Sequence, residues 1–216
     1  MKKTIINLTL IIFTITTYSQ DDVYSYSENG IVNRIIIDNN YFVMTSYKVD
    51  TNKFVKTIGG FYSENGSKLN VDLEFNSNYK NDSISKIKIE KKDNWKKISL
   101  KENDLQGKWL MVGRVRNGNE QRRNLDRPRK TMKFLINGYF QWIAFNTETF
   151  QFSGSGGGKY ITKDGKYIES IEYFSRDDSK VGLNLEFDYE LINKEWNHKG
   201  FSSKGDPLHE IWVVRK

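Results

Sequence analysis

A chain of 216 residues without a cysteine has no disulfide, thiolate metal site, thiol nucleophile or lipid-bearing cysteine available to it. Its net charge of +7, from 34 basic and 27 acidic residues, is too modest to name a polyanionic partner, so the placement of the charges matters more than their sum. His198 and His209 are the only two histidines, which excludes a histidine-rich metal centre; no metal and no cofactor is expected.

The first nineteen residues predict an export signal. Lys2 and Lys3 precede an apolar run from Ile5 to about Thr16, and Thr17-Tyr18-Ser19-Gln20 then offers small and polar residues for cleavage near Ser19. The run of roughly 12 residues falls short of the ~20 that a spanning helix needs. The expectation is a secreted or periplasmic protein, not integral to a membrane, whose net charge falls to +5 once Lys2 and Lys3 are removed.

Residues 20–100 predict a short β module with about six legible strands from Ile31 to Leu100. In one of them Leu69, Val71, Leu73 and Phe75 alternate with Asn70, Asp72, Glu74 and Asn76, the period of a strand with one buried and one wet face. Residues 39–60 superpose without a gap on residues 137–158, and seven of the twenty-two positions are identical, among them Tyr41/Tyr139, Phe54/Phe152 and Gly60/Gly158. A turn glycine and a lone tryptophan follow in both segments (Gly66 and Trp95, Gly165 and Trp196). The pattern predicts a tandem repeat with a period near 98 residues, the first copy partial.

A linker at 101–106 leads to the second module, 107–216. It opens on Gly107-Lys108-Trp109 and closes on Ile211-Trp212-Val213-Val214-Arg215. Period-two alternation and turn signals at Asn137-Gly138, Asp164-Gly165 and Gly205-Asp206-Pro207 predict eight strands: 108–115, 131–136, 139–146, 150–162, 166–174, 182–192, 195–202 and 208–215. The class is all-β, and eight antiparallel strands are the number that closes a barrel around one small ligand. The run Gly154-Ser155-Gly156-Gly157-Gly158-Lys159 lacks the Ser or Thr and the helix of a phosphate loop, and is read as a bend or bulge.

Gly107-x-Trp109 on a first strand, with Arg215 just past the last, resembles the lipocalin-like, or calycin, barrels over roughly residues 105–216. More closely, Phe140-Gln141-Trp142-Ile143-Ala144-Phe145-Asn146-Thr147-Glu148-Thr149, with Gly156-Gly157-Gly158 and Ser202-Ser203-Lys204-Gly205, is similar to an uncharacterised family of secreted bacterial lipocalin-like proteins. The resemblance implies a fold, an extracytoplasmic compartment and a cation–π clasp of Arg215 on Trp109 closing one end of the barrel; a non-catalytic binding role is the expectation drawn from the barrel and its aromatic residues.

Aromatic residues supply the cavity candidates. Phe140 and Trp142 share one face of their strand and Tyr139 and Phe145 the other; phase alone does not say which is inward, so Tyr139, Phe140 and Trp142 all stand. Tyr167, Glu169, Ile171 and Tyr173 share the inner-looking face of the next strand, where a carboxylate needs a partner such as an inward Arg or Tyr. Glu172 lies on the opposite face and cannot form an acid/base pair with Glu169, and no catalytic residue is assigned. The segment Arg114 to Lys130 carries seven basic residues against two acidic ones and is expected to overhang the barrel mouth, placing Arg114 and Arg116 there. The partner is expected to be a small hydrophobic or amphipathic ligand. The alternative is a filled barrel whose basic loop touches an anionic envelope component; nucleic acid is not expected, since the basic run lacks interleaved aromatics. His198 and His209 are expected at the surface or in hydrogen bonds.

Overall fold

The computed structural model describes residues 21–100 and 103–215, so the predicted export signal lies outside the described residues. Seven strands come first: β1 (Asp22–Glu28), β2 (Ile31–Ile37), β3 (Tyr41–Lys48), β4 (Phe54–Asn65), β5 (Lys68–Asn76), β6 (Lys86–Glu90) and β7 (Lys96–Lys97), with one helical turn, α1 (Tyr79–Asp82), before β6. Nine follow: β8 (Gly107–Arg116), β9 (Asn119–Arg122), β10 (Arg129–Ile136), β11 (Tyr139–Asn146), β12 (Phe152–Lys163), β13 (Lys166–Phe174), β14 (Asn184–Ile192), β15 (Glu195–Phe201) and β16 (Pro207–Val214). The second set runs β10-β11-β12-β13-β14-β15-β16-β8, and a β8–β10 pairing closes it into an eight-stranded antiparallel barrel; β9 is a short appendage on β8. The first set is a separate open sheet of order β6-β5-β4-β3-β2-β1-β7.

The repeat is carried in the hydrogen-bond register. Ile31 pairs with Lys48 as Arg129 pairs with Asn146, and Asn65 with Lys68 as Lys163 with Lys166, each a shift of 98 residues. Both bulges recur at the same offset, between Ser46/Tyr47 and Ala144/Phe145 and between Gly59/Gly60 and Gly157/Gly158. At Gly60 and Gly158 a Cβ would run into the carbonyl oxygen of Asp72 and Ser170, respectively, so the bulge requires glycine in both copies. The copies also agree at their ends: the Ile98 amide donates to the Val23 carbonyl as the Arg215 amide does to that of Lys108. By this register β1 answers to β8, β6 to β14 and β7 to β16, and Trp95 answers to Trp212 rather than to Trp196. The first copy is thus the barrel without a counterpart of β15, and it stays open.

The open sheet covers one outer face of the barrel in a reciprocal way. Phe54 stacks on its own repeat partner Phe152 with centroids 5.8 Å apart; Tyr47 lies 5.2 Å from Tyr173, and their repeat partners Phe145 and Phe75 lie 5.0 Å apart. Such pairing is what a two-fold interface between equal subunits would show, here built within one chain. The buried core between the sheets joins Val23, Ile36 and Val43 of one to Met132, Phe134 and Ile143 of the other. Gln141 crosses it, accepting from Thr45 at 2.9 Å and donating to Thr57 and Ser155 at 3.0 and 2.9 Å. Two carboxylates one repeat apart are held from across the seam: Glu172 by Arg34 at 2.7 Å and Glu74 by Arg215 at 2.6 Å.

That last contact corrects the expected clasp. Arg215 turns outward, over the rings of Tyr41 and Phe61, and not onto Trp109. Trp109 instead donates its indole N–H to the Leu105 carbonyl at 2.7 Å and meets Trp196 edge-on at 5.6 Å.

Candidate functional site

The barrel is solid in one half and hollow in the other. At the end where β8 begins, Leu105, Trp109, Leu135, Tyr160, Tyr167 and Trp196 pack into one buried cluster. Towards the other end, where β8 runs out and β10 starts, a cavity of about 570 Å³ opens, within the ~300–1,000 Å³ of small-molecule pockets. Its apolar wall includes Met111, Trp142, Ile171, Phe174, Leu185 and Leu208.

Buried charge forms the floor. Lys133 on β10 and Glu169 on β13, each 4 % exposed, are joined at 2.7 Å, and the Tyr167 hydroxyl donates to the same carboxylate oxygen at 2.9 Å. Four rings surround the ammonium: Tyr167, Trp196, Trp212 and Phe187, with centroids 4.7 to 5.6 Å from Nζ. Those π-faces and the carboxylate together replace the water that a lone buried cation would lack. Burial first, and then the Glu169 charge, raises the Tyr167 phenol far above its ordinary range, so it stays a neutral donor.

Beside this pair sits His198, 2 % exposed and 4.1 Å from the Phe187 centroid. Burial, and next the charge of Lys133, pushes its pKa down to about 4; the imidazole is neutral near pH 7. Its Nδ1 lies 3.7 Å from Glu210, and its Nε2 has no hydrogen-bond partner among the described residues. Burial alone would raise Glu210, but the neighbouring His198 and the charges of Lys133 and Arg114 outweigh that and hold it low. Arg114 closes this row, donating to Glu210 at 2.9 Å.

The candidates from the sequence fall into three places. Trp142, Glu169 and Arg114 line the cavity; Phe140 and Tyr167 belong to the aromatic packing beneath it. Tyr139 and Tyr173 do not face inward. Tyr139 lies on the outer face of β11, with the Arg34 guanidinium 4.6 Å above its ring. Tyr173 is turned outward by the β13 bulge: Gly158 opposes Ile171 but Gly157 opposes Tyr173, so Glu172 is an extra residue that reverses the phase, and Phe174 takes the inward position. Arg116 is exposed beyond the lining; Arg123 and Arg129 stand at the rim instead. His198 is interior, not superficial, whereas His209 bonds Asn197 at 3.1 Å. Lys133 and His198 had no sequence signal as site residues beyond their strand phase.

Among the described residues no group of His, Asp and Glu could hold a metal ion, and no helix is long and apolar enough to cross a membrane. A search of curated proteins finds no match. Residues 104–215, just over half of the chain, match the model of a family described as a domain of unknown function, DUF4488.

Proposed function

The chain belongs to the DUF4488 family, and from that premise we propose that it is a secreted or periplasmic, non-catalytic, lipocalin-like binding protein whose barrel takes one small hydrophobic or amphipathic ligand. The observation that carries this reading is the half-hollow barrel: a cavity of about 570 Å³ with an apolar wall above a floor whose charges are already paired with each other. A site built on carboxylate acid/base chemistry would hold a carboxylate free to reach substrate. Here Glu169 is engaged by Lys133 and Tyr167. The opening residues Lys2 to Gln20 support export on sequence grounds.

Native mass spectrometry of the mature protein, purified from its own extracytoplasmic fraction, tests the reading directly. The expected result is a reproducible adduct that denaturation removes and that Trp142→Ala diminishes. A clean apo mass, together with no binding of any small amphiphile in titration, sinks the proposal.

A further inference from the structure

The rim of the cavity carries more positive charge than its own carboxylates use. Lys133 is taken by Glu169, Arg114 by Glu210, and Lys180 lies 3.6 Å from Asp177. Arg176 donates to the Ser153 carbonyl at 2.6 and 2.9 Å. Arg123, Arg129 and Lys204 remain, and none of them forms a hydrogen bond or ion pair with a carboxylate among the described residues; the two guanidinium groups are the ones that can grip an oxyanion with paired donors. Both are held in place by backbone: the Arg123 amide donates to the Val112 carbonyl at 2.7 Å, and Arg129 pairs with Asn146 at the start of β10. Partial burial first, and then the charges of Arg114 and Arg129 among others, lowers the proton affinity of Arg123. Like charges gathered at the edge of a low-dielectric cup repel one another until an anion joins them.

A second observation lies below them. The Nε of Arg114, Nε2 of His198 and indole N–H of Trp212 are buried without a hydrogen-bond partner among the described residues, and all three side chains line the cavity. Polar atoms left so are costly unless something completes them. The wall between floor and rim is Trp142, Ile171, Phe174 and Leu185, which suits a hydrocarbon.

We infer that the ligand is an anionic amphiphile: one oxyanion head group held by Arg123 and Arg129, and an apolar body against the Trp142–Ile171–Phe174 wall. This rests on the binding reading above and narrows it to a charge class. A carboxylate or phosphate head accepts two or more charge-assisted bonds from guanidinium groups, and a neutral head of the same chain length does not.

The test uses decanoate, decyl phosphate and 1-decanol, titrated into the full mature chain and read by tryptophan fluorescence. At least one anionic probe should bind about tenfold or more tightly than 1-decanol, and raised salt should narrow that gap. The double variant Arg123→Gln, Arg129→Gln, with its fold checked by circular dichroism, should remove the preference by bringing the anionic probes down to the affinity of 1-decanol. The preferred anion then tells a carboxylate ligand from a phosphate one. Equal binding of all three probes overturns the anionic inference alone, as does a preference that survives the double variant. Binding of none overturns the inference together with the reading on which it rests.

Discussion

The two copies share register, bulges and bulge glycines at a spacing of 98 residues, yet only the second encloses a space, and the difference is one strand. β15 bridges β14 and β16 in the barrel; the first copy passes from β6 to the two-residue β7 through residues 91–95 and stays open. Its free edges carry Lys86, Lys88 and Glu90 on β6 and Lys96 and Lys97 on β7, all exposed, the kind of charge that discourages pairing with another chain. Without a closed wall the first copy has become a buttress, burying the Met132–Phe134–Ile143 face that the barrel would otherwise expose. One sequence repeat can therefore supply both a container and the cover for its outside.

If the shared bulge is what makes the copies alike, breaking it should be severe in both. Gly158→Val and Gly60→Val each force a side chain into a backbone carbonyl, and we expect losses above about 4 kcal/mol in either, seen as a lowered urea midpoint or as failure to fold. A cost below about 1 kcal/mol for Gly60→Val would mean that the open copy does not hold this register in solution.

The closed ends should differ. Trp109 is buried among Trp196 and its neighbours, whereas Tyr24, its counterpart by register, is half-buried beside Trp95. Trp109→Ala should cost about 3–5 kcal/mol and Tyr24→Ala about 1–2 kcal/mol in equilibrium unfolding. Equal costs would remove the distinction between a plugged barrel and an open sheet.

Only the barrel holds a buried histidine, and this gives it a pH signature. His198 titrates near 4 when folded, against an ordinary value of 6.5. Between those values the unfolded chain binds a proton that the native state does not, so stability is full above about pH 6.5 and falls as pH drops towards 4. Glu210, held low in the native state, extends the loss further into acid. The histidine share is of the order of 3 kcal/mol. His198→Phe, placed among Phe187, Tyr167 and Trp196, should flatten unfolding free energy across that window; an unchanged slope would assign it to other groups.

Much of this was legible, for a physical reason. Turn dipeptides, bulge glycines and period-two alternation report backbone geometry, and the eight barrel strands lie within a few residues of their expected limits. β1 escaped because Asp22-Val23-Tyr24-Ser25-Tyr26-Ser27-Glu28 shows little apolar alternation, its burial coming from contact with the barrel. Inside and outside were harder to separate, because alternation identifies the wet face only where one face is wet. On β10 the more apolar set, Met132, Phe134 and Ile136, faces the first copy, while Thr131, Lys133 and Leu135 face inward. A lysine on a strand reads as solvent-facing, and nothing local announces the four rings and the carboxylate that receive Lys133. Tyr139 misled in the same way, and Tyr173 through a bulge whose extra residue, Glu172, no pattern of alternation displays.

The smallest expected effect concerns the seam. Glu74 and Glu172 occupy equivalent positions, yet their arginines do not: Glu172 takes Arg34 from the middle of β2, and Glu74 takes Arg215 from beyond β16. The repeat counterpart of Arg34 is Met132, whose sulfur lies 3.5 Å from Arg215. Reciprocity has therefore been kept at the carboxylates and given up at the cations, which fixes the orientation of two otherwise similar faces. Arg34→Met imposes the second copy's choice on the first. It strips Glu172 of its main partner and Tyr47 of a donor at 2.8 Å, but Glu172 is partly exposed and retains Lys159 at 3.6 Å, so the loss should be about 1–2 kcal/mol, below that of a fully buried pair. Adding Glu172→Gln should return part of it, because the unpaired charge is then gone. If the double variant is no more stable than the single one in chemical unfolding, the cost lies in the packing of Arg34 on Tyr139 rather than in the ion pair.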